Sequence, residues 1–411
     1  MIDHVSPEEP SSAAPRRAGA GRVLIIVQNL PVPRDRRVWL EACALRDAGF
    51  QVSVVCPKAK GDPRYEELEG VVLRKYAPPP PARGVSSYAF EFAYCWLRTA
   101  LLVSGAAARE GFDVIQACNP PDTYWALAMP FKLFGKRFVF DQHDLCPEVY
   151  ESRFRGGARM LRNALRALER ASYAVADHVI VTNESYRRTA LERGRLPSAR
   201  VTVVRTGPDL SRLTRTNPNP SWRFGRRHLC AYLGVMGPQD GVDFALRAVA
   251  ALARQRRDDV HFVFMGTGDS LDELVALATE LGITDRVTFT GWADDETIIQ
   301  VLSTADIGLC PDPLNPLNDV STMNKTMEYM AFGLPVVAFD LKETRVSAAE
   351  AAVYVPPNDT DAYGQAITEL LDDPDRRAEM GRIGTERVED VLAWRHQAPR
   401  YIEVYQRVLR Q

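Results

Sequence analysis

The stretch "NDVSTMNKTMEYMAFGLPVVAFD", residues 318–340, joins a polar loop, a short helix and an apolar strand. The strand, at 335–340, has the nearly continuous apolar character of a parallel strand that is covered on both faces. Because the helix runs directly into this buried strand, we expect its beginning to face a cleft rather than bulk water. Lys325 and Glu328 lie one turn apart in that helix.

The same alternation of apolar strands and helical stretches extends in both directions from this segment. Upstream, strands are predicted at 22–28, 51–57, 71–76, 113–119, 137–144, 178–184 and 200–207. The later series has strands at 229–237, 260–268, 286–292, 306–311, 335–340 and 352–357. Apolar strands that alternate with helices are typical of parallel sheets covered on both faces. The predicted fold class is therefore α/β, with two Rossmann-like, doubly wound domains that face a cleft.

Composition changes suggest where these domains begin and end. Residues 1–20 are rich in Pro, Ser and Ala and lack the apolar core of a signal peptide, so we predict a disordered tail. The N-terminal domain is predicted at 21–208, a polar and basic linker at 209–228, and the C-terminal domain at 229–390. The last residues, 391–411, form an amphipathic helix.

Bulk composition excludes several classes of function. A net charge of −2 and a pI of about 6.4 give no electrostatic basis for binding nucleic acid. The seven cysteines are scattered and contain no CxxC pair, which is typical of reduced thiols in a cytoplasmic protein, and the histidines show no metal-binding spacing. The apolar run at 88–108 is interrupted by Glu91 and Arg98, which favours a half-buried helix over a membrane-contacting one.

Polar residues follow several strands of the second domain, where ligands bind in open α/β sheets. Gly266 and Gly268 allow a tight turn that a ligand can approach, although a plain turn explains them equally well. Trp292 follows a strand and could lie against a nucleobase or pack on the domain surface.

The quoted helix offers a phosphate site and a ribose site. Asp319 or Ser321 can cap it, Thr322 lies in its first turn, and free N–H groups there suit a phosphate. Glu328 can accept hydrogen bonds from the diol of a ribose. The alternative is an ordinary ion pair between Lys325 and Glu328 on a solvated face.

The first domain places charged residues after its strands as well. Asp141, His143, Asp144 and Glu148 lie at or beyond the carboxyl end of the strand predicted at 137–144. A basic cluster at a helix start, Arg34, Arg36 and Arg37, could contact a phosphate or an acceptor. The motif Asp359-Thr360-Asp361 is interpreted as a loop with a helix cap rather than a metal site.

Together the segments 140–150, 264–268, 287–292 and 327–340 resemble the GT-B glycosyltransferases, in particular the large retaining family 4. The resemblance covers nearly the whole chain from about residue 21. It implies a cytoplasmic enzyme that uses a UDP- or GDP-linked sugar, retains anomeric configuration and needs no metal or other cofactor. It also implies a donor site in the C-terminal domain, an acceptor site in the N-terminal domain, and a last helix that crosses back to the N-terminal domain.

The family's residues can be carried over only where this chain matches them. Glu328 matches the second Glu of the E-x7-E motif, which holds the donor ribose, and His143 matches the His that approaches the donor sugar. The residues assigned to the donor site are Gly234, Gly237, Arg205, Gly266, Gly268, Trp292, Ser321, Thr322, Lys325 and Glu328. Those assigned to catalysis are His143, Asp319, Lys325 and Glu328. Those assigned to the acceptor are Arg34, Arg36, Asp144 and Glu148.

Two departures from the family pattern have chemical consequences. Val320 stands where the first Glu of the motif is expected, and Asp319 could supply that carboxylate through a shifted loop. Val235 and Asp240 replace the Arg and Lys that hold the donor diphosphate in the family. We hypothesise that Lys325 replaces this lost positive charge, with Arg205 or the Arg34–Arg37 cluster as second choices.

The resemblance leaves the acceptor open. The motifs are similar to transferases of bacterial surface-polysaccharide assembly, which implies a glycan or lipid-linked acceptor at the inner membrane face, with 88–108, Arg98 and Arg109 as the docking surface. The expected donor for this reaction is a UDP-sugar, including a UDP-N-acetylhexosamine. A soluble transferase that acts on a small molecule or natural product is the alternative. A GT-B sugar-nucleotide epimerase and a nucleotide-binding scaffold remain further alternatives.

Overall fold

The computed structural model describes residues 20–79, 85–153, 159–212 and 214–410. Its strands are β1 (Arg22–Ile26), β2 (Gln51–Pro57), β3 (Tyr65–Leu68), β4 (Val71–Tyr76), β5 (Val114–Cys118), β6 (Arg137–Gln142), β7 (His178–Val181), β8 (Val201–Val203), β9 (His228–Leu233), β10 (Val260–Met265), β11 (Val287–Gly291), β12 (Ile307–Cys310), β13 (Val336–Phe339) and β14 (Ala352–Val355). Its α-helices are α1 (Arg36–Asp47), α2 (Val85–Arg109), α3 (Trp125–Lys132), α4 (Cys146–Arg153), α5 (Arg159–Val175), α6 (Glu184–Gly194), α7 (Val242–Arg254), α8 (Leu271–Glu280), α9 (Asp295–Thr304), α10 (Asn324–Ala331), α11 (Lys342–Ala348), α12 (Thr360–Asp372), α13 (Pro374–Arg387) and α14 (Trp394–Arg410).

The strands form two sheets, as predicted. The first sheet has the order β3-β4-β2-β1-β5-β6-β7-β8, and the second has the order β11-β10-β9-β12-β13-β14. All neighbouring strands pair in parallel except β3, which pairs antiparallel with β4. The chain reverses its direction of travel across each sheet at β1/β5 and at β9/β12, which is where ligands bind in doubly wound sheets.

The differences from the predicted strands lie mainly at one edge. β3 was not predicted from the sequence. Its residues "YEEL" include two acidic side chains and lack the continuous apolar run by which the other strands were recognised, since β3 lies at the sheet edge. Several predicted strands end earlier than expected; for example, β6 ends at Gln142, so that His143 and Asp144 lie in the loop beyond it. These polar loop residues are thereby placed at the carboxyl edge of the sheet.

Helices cover both faces of each sheet, and the last helix returns to the first domain. Tyr401, Val404, Tyr405 and Val408 of α14 are buried in the core formed by α1 and one face of the first sheet. The preceding helix α13 packs in the second domain, against α10 and α12. The helix that the resemblance predicts to cross back is therefore α14. Among the helices that the structure describes, none is both long enough and apolar enough to span a membrane.

The candidate active site

A cavity of about 1280 Å³ lies between the two domains, at the carboxyl edges of their sheets. From the first domain it is lined by, among others, Arg34, Arg36, Arg37, His143, Asp144 and Tyr186. From the linker and the second domain it is lined by Arg212, Asp295, Ser321, Thr322, Asn324 and Glu328. Sequence-predicted residues from both domains therefore meet in one space.

Glu328 faces the first domain across this cavity. Arg36 Nη1 donates to Glu328 Oε1 at 2.7 Å, and Arg36 Nη2 lies 3.6 Å from Asp295 Oδ1. Burial raises the pKa of Glu328, and the positive charge of Arg36 opposes that rise. The alternative of an ion pair between Lys325 and Glu328 on a solvated face is wrong, because each residue has another partner.

Lys325 lies beneath the cavity wall in a buried ion pair. Its Nζ donates to both carboxylate oxygens of Asp312, at 2.7 and 2.9 Å, and lies 5.2 Å from the centre of the Tyr232 ring. Burial opposes its positive charge, but Asp312 together with Tyr232, Cys310 and Asp240 outweighs burial and raises the pKa of Lys325 well above its usual value. Lys325 does not line the inter-domain cavity.

The loop before α10 is held by the first domain. Asn183 Nδ2 donates to Thr322 Oγ1 at 3.1 Å and to the Val320 carbonyl at 2.9 Å, while Ser321 Oγ and Tyr186 Oη lie 2.9 Å apart. The Val320 side chain packs against the core of the first domain. An apolar residue at this position thus serves the contact between domains.

Asp319 is turned away from this cavity. Its Oδ1 accepts a hydrogen bond from the Lys342 backbone N–H at 3.0 Å, at the beginning of α11. The residue before α10 is Met323, and no side chain caps that helix, so the predicted cap by Asp319 or Ser321 is wrong. The shifted carboxylate that we expected from Asp319 is also absent from the residues lining the cavity.

His143 rests on a buried charged cluster in the first domain. Its Nε2 lies 2.8 Å from Asp141 Oδ2 and 3.1 Å from Arg37 Nε. Arg37 Nη2 donates to Asp141 Oδ1 at 3.1 Å, and Arg37 Nε lies 2.9 Å from Glu41 Oε1. The backbone N–H groups of His143 and Asp144 both donate to Asn119 Oδ1, at 2.6 and 3.1 Å, which fixes the loop.

Two carboxyl groups in this cluster differ in their ionisation. Burial disfavours the charged form of both Asp141 and Glu41. At Asp141 the neighbouring Arg37 and His143 overcome this effect and hold the pKa well below the usual value. Burial and the neighbouring Asp141 charge raise the pKa of Glu41. The arrangement therefore favours one ionised carboxylate, at Asp141, beside the imidazole.

The same cluster has the donor atoms of a metal site. Single ligand atoms of Glu41, Cys118, Asp141 and His143 lie within 4.8 Å of one another. However, the Arg37 guanidinium pairs with the carboxylates of Glu41 and Asp141 and supplies the positive charge that a metal ion would supply. Burial also raises the pKa of the Cys118 thiol well above its usual value, which disfavours the thiolate that a metal requires. These residues therefore do not fit a metal site.

The predicted glycines of the second domain lie beside the inter-domain cavity rather than in its lining. Gly234 and Gly237 follow β9, and Gly266 and Gly268 follow β10. A Cβ on Gly266, whose φ is +139°, would come within 1.8 Å of the Gly234 carbonyl oxygen. Glycine at 266 is thus needed where these two loops pack backbone to backbone.

The remaining predicted residues have structural partners. Trp292 is 59% exposed, and the Arg34 guanidinium lies 5.6 Å from its ring centre. Arg205 lies 3.8 Å from the buried Glu343, away from the cavity lining. Glu148 accepts a hydrogen bond from Arg193 at 3.1 Å and does not line the cavity. Asp359 caps α12 by accepting from Ala362 N–H at 2.9 Å, which confirms that interpretation.

Sequence reasoning missed several residues of the site. Arg212 and Asp295 form an ion pair in the cavity wall, and Asn183 and Tyr186 hold the loop before α10. Gln116 lies beneath His143 and is a polar residue inside the otherwise apolar strand "VIQAC". That interruption is a signal that could have identified Gln116.

Comparison with known families matches both halves of the chain. A family model described as "Glycosyl transferase 4-like domain" matches residues 35–207. A second model, described as "Glycosyl transferases group 1", matches residues 227–373.

Curated relatives align over variable shares of their length. The chain is 26% identical over 384 residues to 2-deoxystreptamine glucosyltransferase of Streptomyces kanamyceticus, covering 89% of this chain and 96% of that protein. It is 28% identical over 301 residues to alpha-maltose-1-phosphate synthase of Mycolicibacterium smegmatis, covering 67% and 74%. A 31% identical match to alpha-D-kanosaminyltransferase of Streptomyces kanamyceticus spans only 38% of this chain and 39% of that protein.

Solved structures resemble the whole chain. Sucrose-phosphate synthase from Thermosynechococcus elongatus has a TM-score of 0.76 at 20% identity, covering 95% of this chain and 99% of that chain. Anabaena HepE in complex with UDP and glucose has a TM-score of 0.69 at 16% identity, covering 93% and 98%. WaaG, a glycosyltransferase involved in lipopolysaccharide biosynthesis, has a TM-score of 0.71 at 16% identity, covering 93% and 99%. Similarity at this level of identity shows a shared fold.

Proposed function

Because the chain carries the two domains of a GT-B glycosyltransferase, we propose that it transfers a sugar from a nucleoside diphosphate sugar to an acceptor hydroxyl with retention of anomeric configuration. The observation that carries this proposal is the pairing of Glu328 and Arg36 across the inter-domain cavity, with His143 in the same lining. A ribose-binding carboxylate, a cation and an imidazole thus face one another from two domains.

The donor is assigned to the wall formed by α10 and the loop before it. Asn324 begins this helix, and Ser321 and Thr322 lie in the loop before it, so that Thr322 is not in the first turn as predicted; the N–H groups of the helix start and the helix dipole favour a phosphate there. Glu328, one turn further on, would accept hydrogen bonds from the ribose hydroxyls. We favour a UDP-linked sugar, and the HepE complexes with UDP, UDP and glucose, and UDP-glucose support this choice by similarity of fold.

The cation for the leaving diphosphate is assigned to Arg36 rather than Lys325. Lys325 is already neutralised by Asp312, whereas Arg36 lines the cavity. A ribose that engages Glu328 would compete with Arg36 for this carboxylate and would leave the guanidinium available to the diphosphate. Positive charge at that position stabilises the charge that develops on the leaving group.

In the proposed reaction, the bond between the sugar C1 and the donor phosphate oxygen breaks while C1 bonds to the acceptor oxygen. The acceptor attacks from the leaving-group side, and the departing phosphate oxygen takes the hydroxyl proton. The enzyme contributes position and electrostatic stabilisation, so that no protein nucleophile is required. Because Arg36 and the helix start supply the positive charge, we expect activity to persist in the presence of EDTA.

The test is a panel of UDP-, GDP-, TDP- and ADP-sugars, with release of the nucleoside diphosphate as the readout and retained configuration checked by NMR of the product. We expect acceptor-dependent release from one donor. Interconversion of the UDP-sugar without an acceptor would instead indicate an epimerase. Nucleotide binding without any turnover would indicate a scaffold and would contradict the proposal.

We place the acceptor at the first domain and at an anionic membrane surface, on the cytoplasmic side. Helices α2, α3 and α5 cover the same side of the first sheet. The outward apolar side chains on these helices and just after α3 include Phe90, Leu97, Leu101, Leu133, Phe134 and Met160. Arg98 and Arg109 of α2 add positive charge, and a face that is both apolar and basic suits an anionic interface.

Flotation with liposomes distinguishes the two acceptor classes. We expect the protein to float with vesicles that contain phosphatidylglycerol and not with pure phosphatidylcholine vesicles, and Leu97→Ser/Leu101→Ser to weaken this binding. Failure to float, together with turnover of a soluble acceptor, would favour a small-molecule transferase instead.

A further inference from the structure

A buried chain of hydrogen bonds connects the C-terminal helix to His143. Tyr401 Oη donates to Gln116 Oε1 at 2.5 Å, and Tyr405 Oη also contacts this oxygen and lies 3.0 Å from Tyr401 Oη. Both tyrosines and Gln116 are fully buried. The contact joins α14 to the centre of β5, across 285 residues of sequence.

The tyrosines determine the orientation of the Gln116 amide. Gln116 Nε2 donates to Glu41 Oε2 at 2.8 Å and to Asp141 Oδ2 at 2.9 Å. An ionised carboxylate only accepts hydrogen bonds, so the amide nitrogen must face the acids while the amide oxygen faces hydroxyl donors. The tyrosine hydroxyls provide those donors.

The ionised carboxylate of Asp141 indicates which ring nitrogen of His143 carries a proton. If His143 Nε2 carries a proton, it donates to Asp141 Oδ2, because a carboxylate at 2.8 Å requires a donor. Arg37 Nε–H lies 3.1 Å from the same ring nitrogen and makes no hydrogen bond to it in this assignment, so the ionised Asp141 alone determines the proton on Nε2. The other ring nitrogen, Nδ1, has no hydrogen-bond partner within the described part of the chain and remains the atom that can meet a substrate hydroxyl.

We propose that Tyr401 and Tyr405 are positioning residues that act through Gln116 and Asp141 to hold His143 with Nε2 protonated and Nδ1 open to the cavity. The expected effect on turnover rests on the proposed function. The expected tautomer of His143 does not. The proposal gives the C-terminal helix a part in the active site through hydrogen bonds that reach His143 by way of Gln116 and Asp141.

The charged and titratable groups that face this chain come from every element packed around it. They are Arg37 and Glu41 of α1, Cys118 of β5, Asp141 of β6, His143 and Asp144 in the following loop, and Tyr401 and Tyr405 of α14. Loss of the tyrosine donors frees the Gln116 amide to turn and removes a hydrogen bond from the ionised form of Asp141. The Asp141 carboxylate is then held less rigidly, and the contact that selects the Nε2–H tautomer of His143 is weakened.

The test compares Tyr401→Phe/Tyr405→Phe with Tyr363→Phe as a matched control. Tyr363 also has a buried hydroxyl, which donates to the Val337 carbonyl at 2.8 Å in the second domain, away from this chain of hydrogen bonds. For the double variant we expect kcat to fall at least tenfold at both pH 6 and pH 8, with the donor KM within twofold of the wild-type value. A kcat within twofold of wild type at both pH values would overturn the proposal.

A second measurement does not depend on turnover. In protein labelled with ¹⁵N-histidine and without substrate, His143→Gln identifies the His143 signals among the six histidines. We expect the Nε2–H tautomer in the wild type and in Tyr363→Phe, and a shifted or mixed tautomer in the double variant. A wild-type Nδ1–H tautomer, or unchanged His143 signals in the double variant, would overturn the proposal even if no nucleotide sugar were turned over. If the double variant does not fold, the wild-type tautomer alone decides.

Discussion

Arg36 contacts α10 and Lys325 belongs to it, but their surroundings give them different roles. Arg36 reaches α10 from the other domain and is one-third exposed, whereas Lys325 is 9% exposed and is paired with a buried aspartate. A cation that stabilises a leaving group must be able to exchange its partner for the substrate. The environment of Arg36 allows that exchange, and the environment of Lys325 opposes it.

Replacing Arg36 with Ala should therefore affect turnover more than stability. We expect kcat to fall about a hundredfold to a thousandfold, the range for a lost transition-state electrostatic contact. Arg36→Lys keeps the charge and should recover part of the loss. Steady-state kinetics with the donor found in the panel provides the measurement, and an Arg36→Ala variant with wild-type kcat would show that the cation lies elsewhere.

Replacing Lys325 with Met should lower stability, because Asp312 would be left buried without its cation. Removing one partner of a buried pair costs about 3–5 kcal/mol. We expect urea denaturation to show a loss of that size, and Lys325→Met/Asp312→Leu to recover much of it. A stable Lys325→Met protein with at least tenfold lower kcat would instead support the hypothesis that Lys325 holds the diphosphate.

At the scale of secondary structure, both sheets contain a buried histidine that pairs with a threonine on the neighbouring strand. His178 of β7 lies 2.8 Å from Thr202 Oγ1 of β8, and His261 of β10 lies 2.9 Å from Thr288 Oγ1 of β11. Burial is the main cause that lowers the pKa of His178 to about 4, and the positive charges of Arg407 and Arg200 add to it. Burial and Arg226 likewise lower the pKa of His261 to about 4.

These histidines should make the fold less stable as the pH falls from about 6.5 to 4. Over that range the unfolded chain binds protons that the folded chain does not, so each histidine contributes up to ~1.4 kcal/mol of lost stability per pH unit. His178→Gln/His261→Gln should have a shallower dependence when the free energy of unfolding is measured at several pH values. Equal slopes for variant and wild type would contradict the prediction.

The limits of strand prediction have the same physical origin in both domains. An apolar strand such as β9 or β13 is recognised from its own residues, because burial on both faces requires them to be apolar. The edge strand β3 has no such requirement and was missed. The residues just after strands were predicted to extend them, although the turn into the cleft begins there.

At the scale of the whole molecule, the chain passes between the domains twice, and the two crossings lie side by side. Trp394 N–H donates to the Pro208 carbonyl at 3.1 Å. A Cβ on Gly207 would come within 2.0 Å of the Leu392 carbonyl oxygen. Only a residue without a side chain fits where the backbones approach so closely.

Gly207→Ala should therefore destabilise the protein by at least ~2 kcal/mol, since backbone atoms on both sides must move. The control is Gly105→Ala in α2, where an added Cβ meets no heavy atom within 4 Å. That change should stabilise the helix by up to ~1 kcal/mol. Opposite shifts of the urea midpoint are expected, and a Gly207→Ala protein as stable as the wild type would show that the crossings can separate.

The sequence by itself determined the two parallel-sheet domains, the region of the cleft, and several residues that line it, including His143, Arg36 and Glu328. Local patterns suffice for these features, because strand burial and helix starts depend on neighbouring residues. Only the tertiary structure decided the partners: Glu328 with Arg36, 292 residues apart, Lys325 with Asp312, and Asp319 with α11. A charged side chain in a low-dielectric interior binds the opposite charge or donor that folding brings within reach, and distance along the chain does not specify that partner.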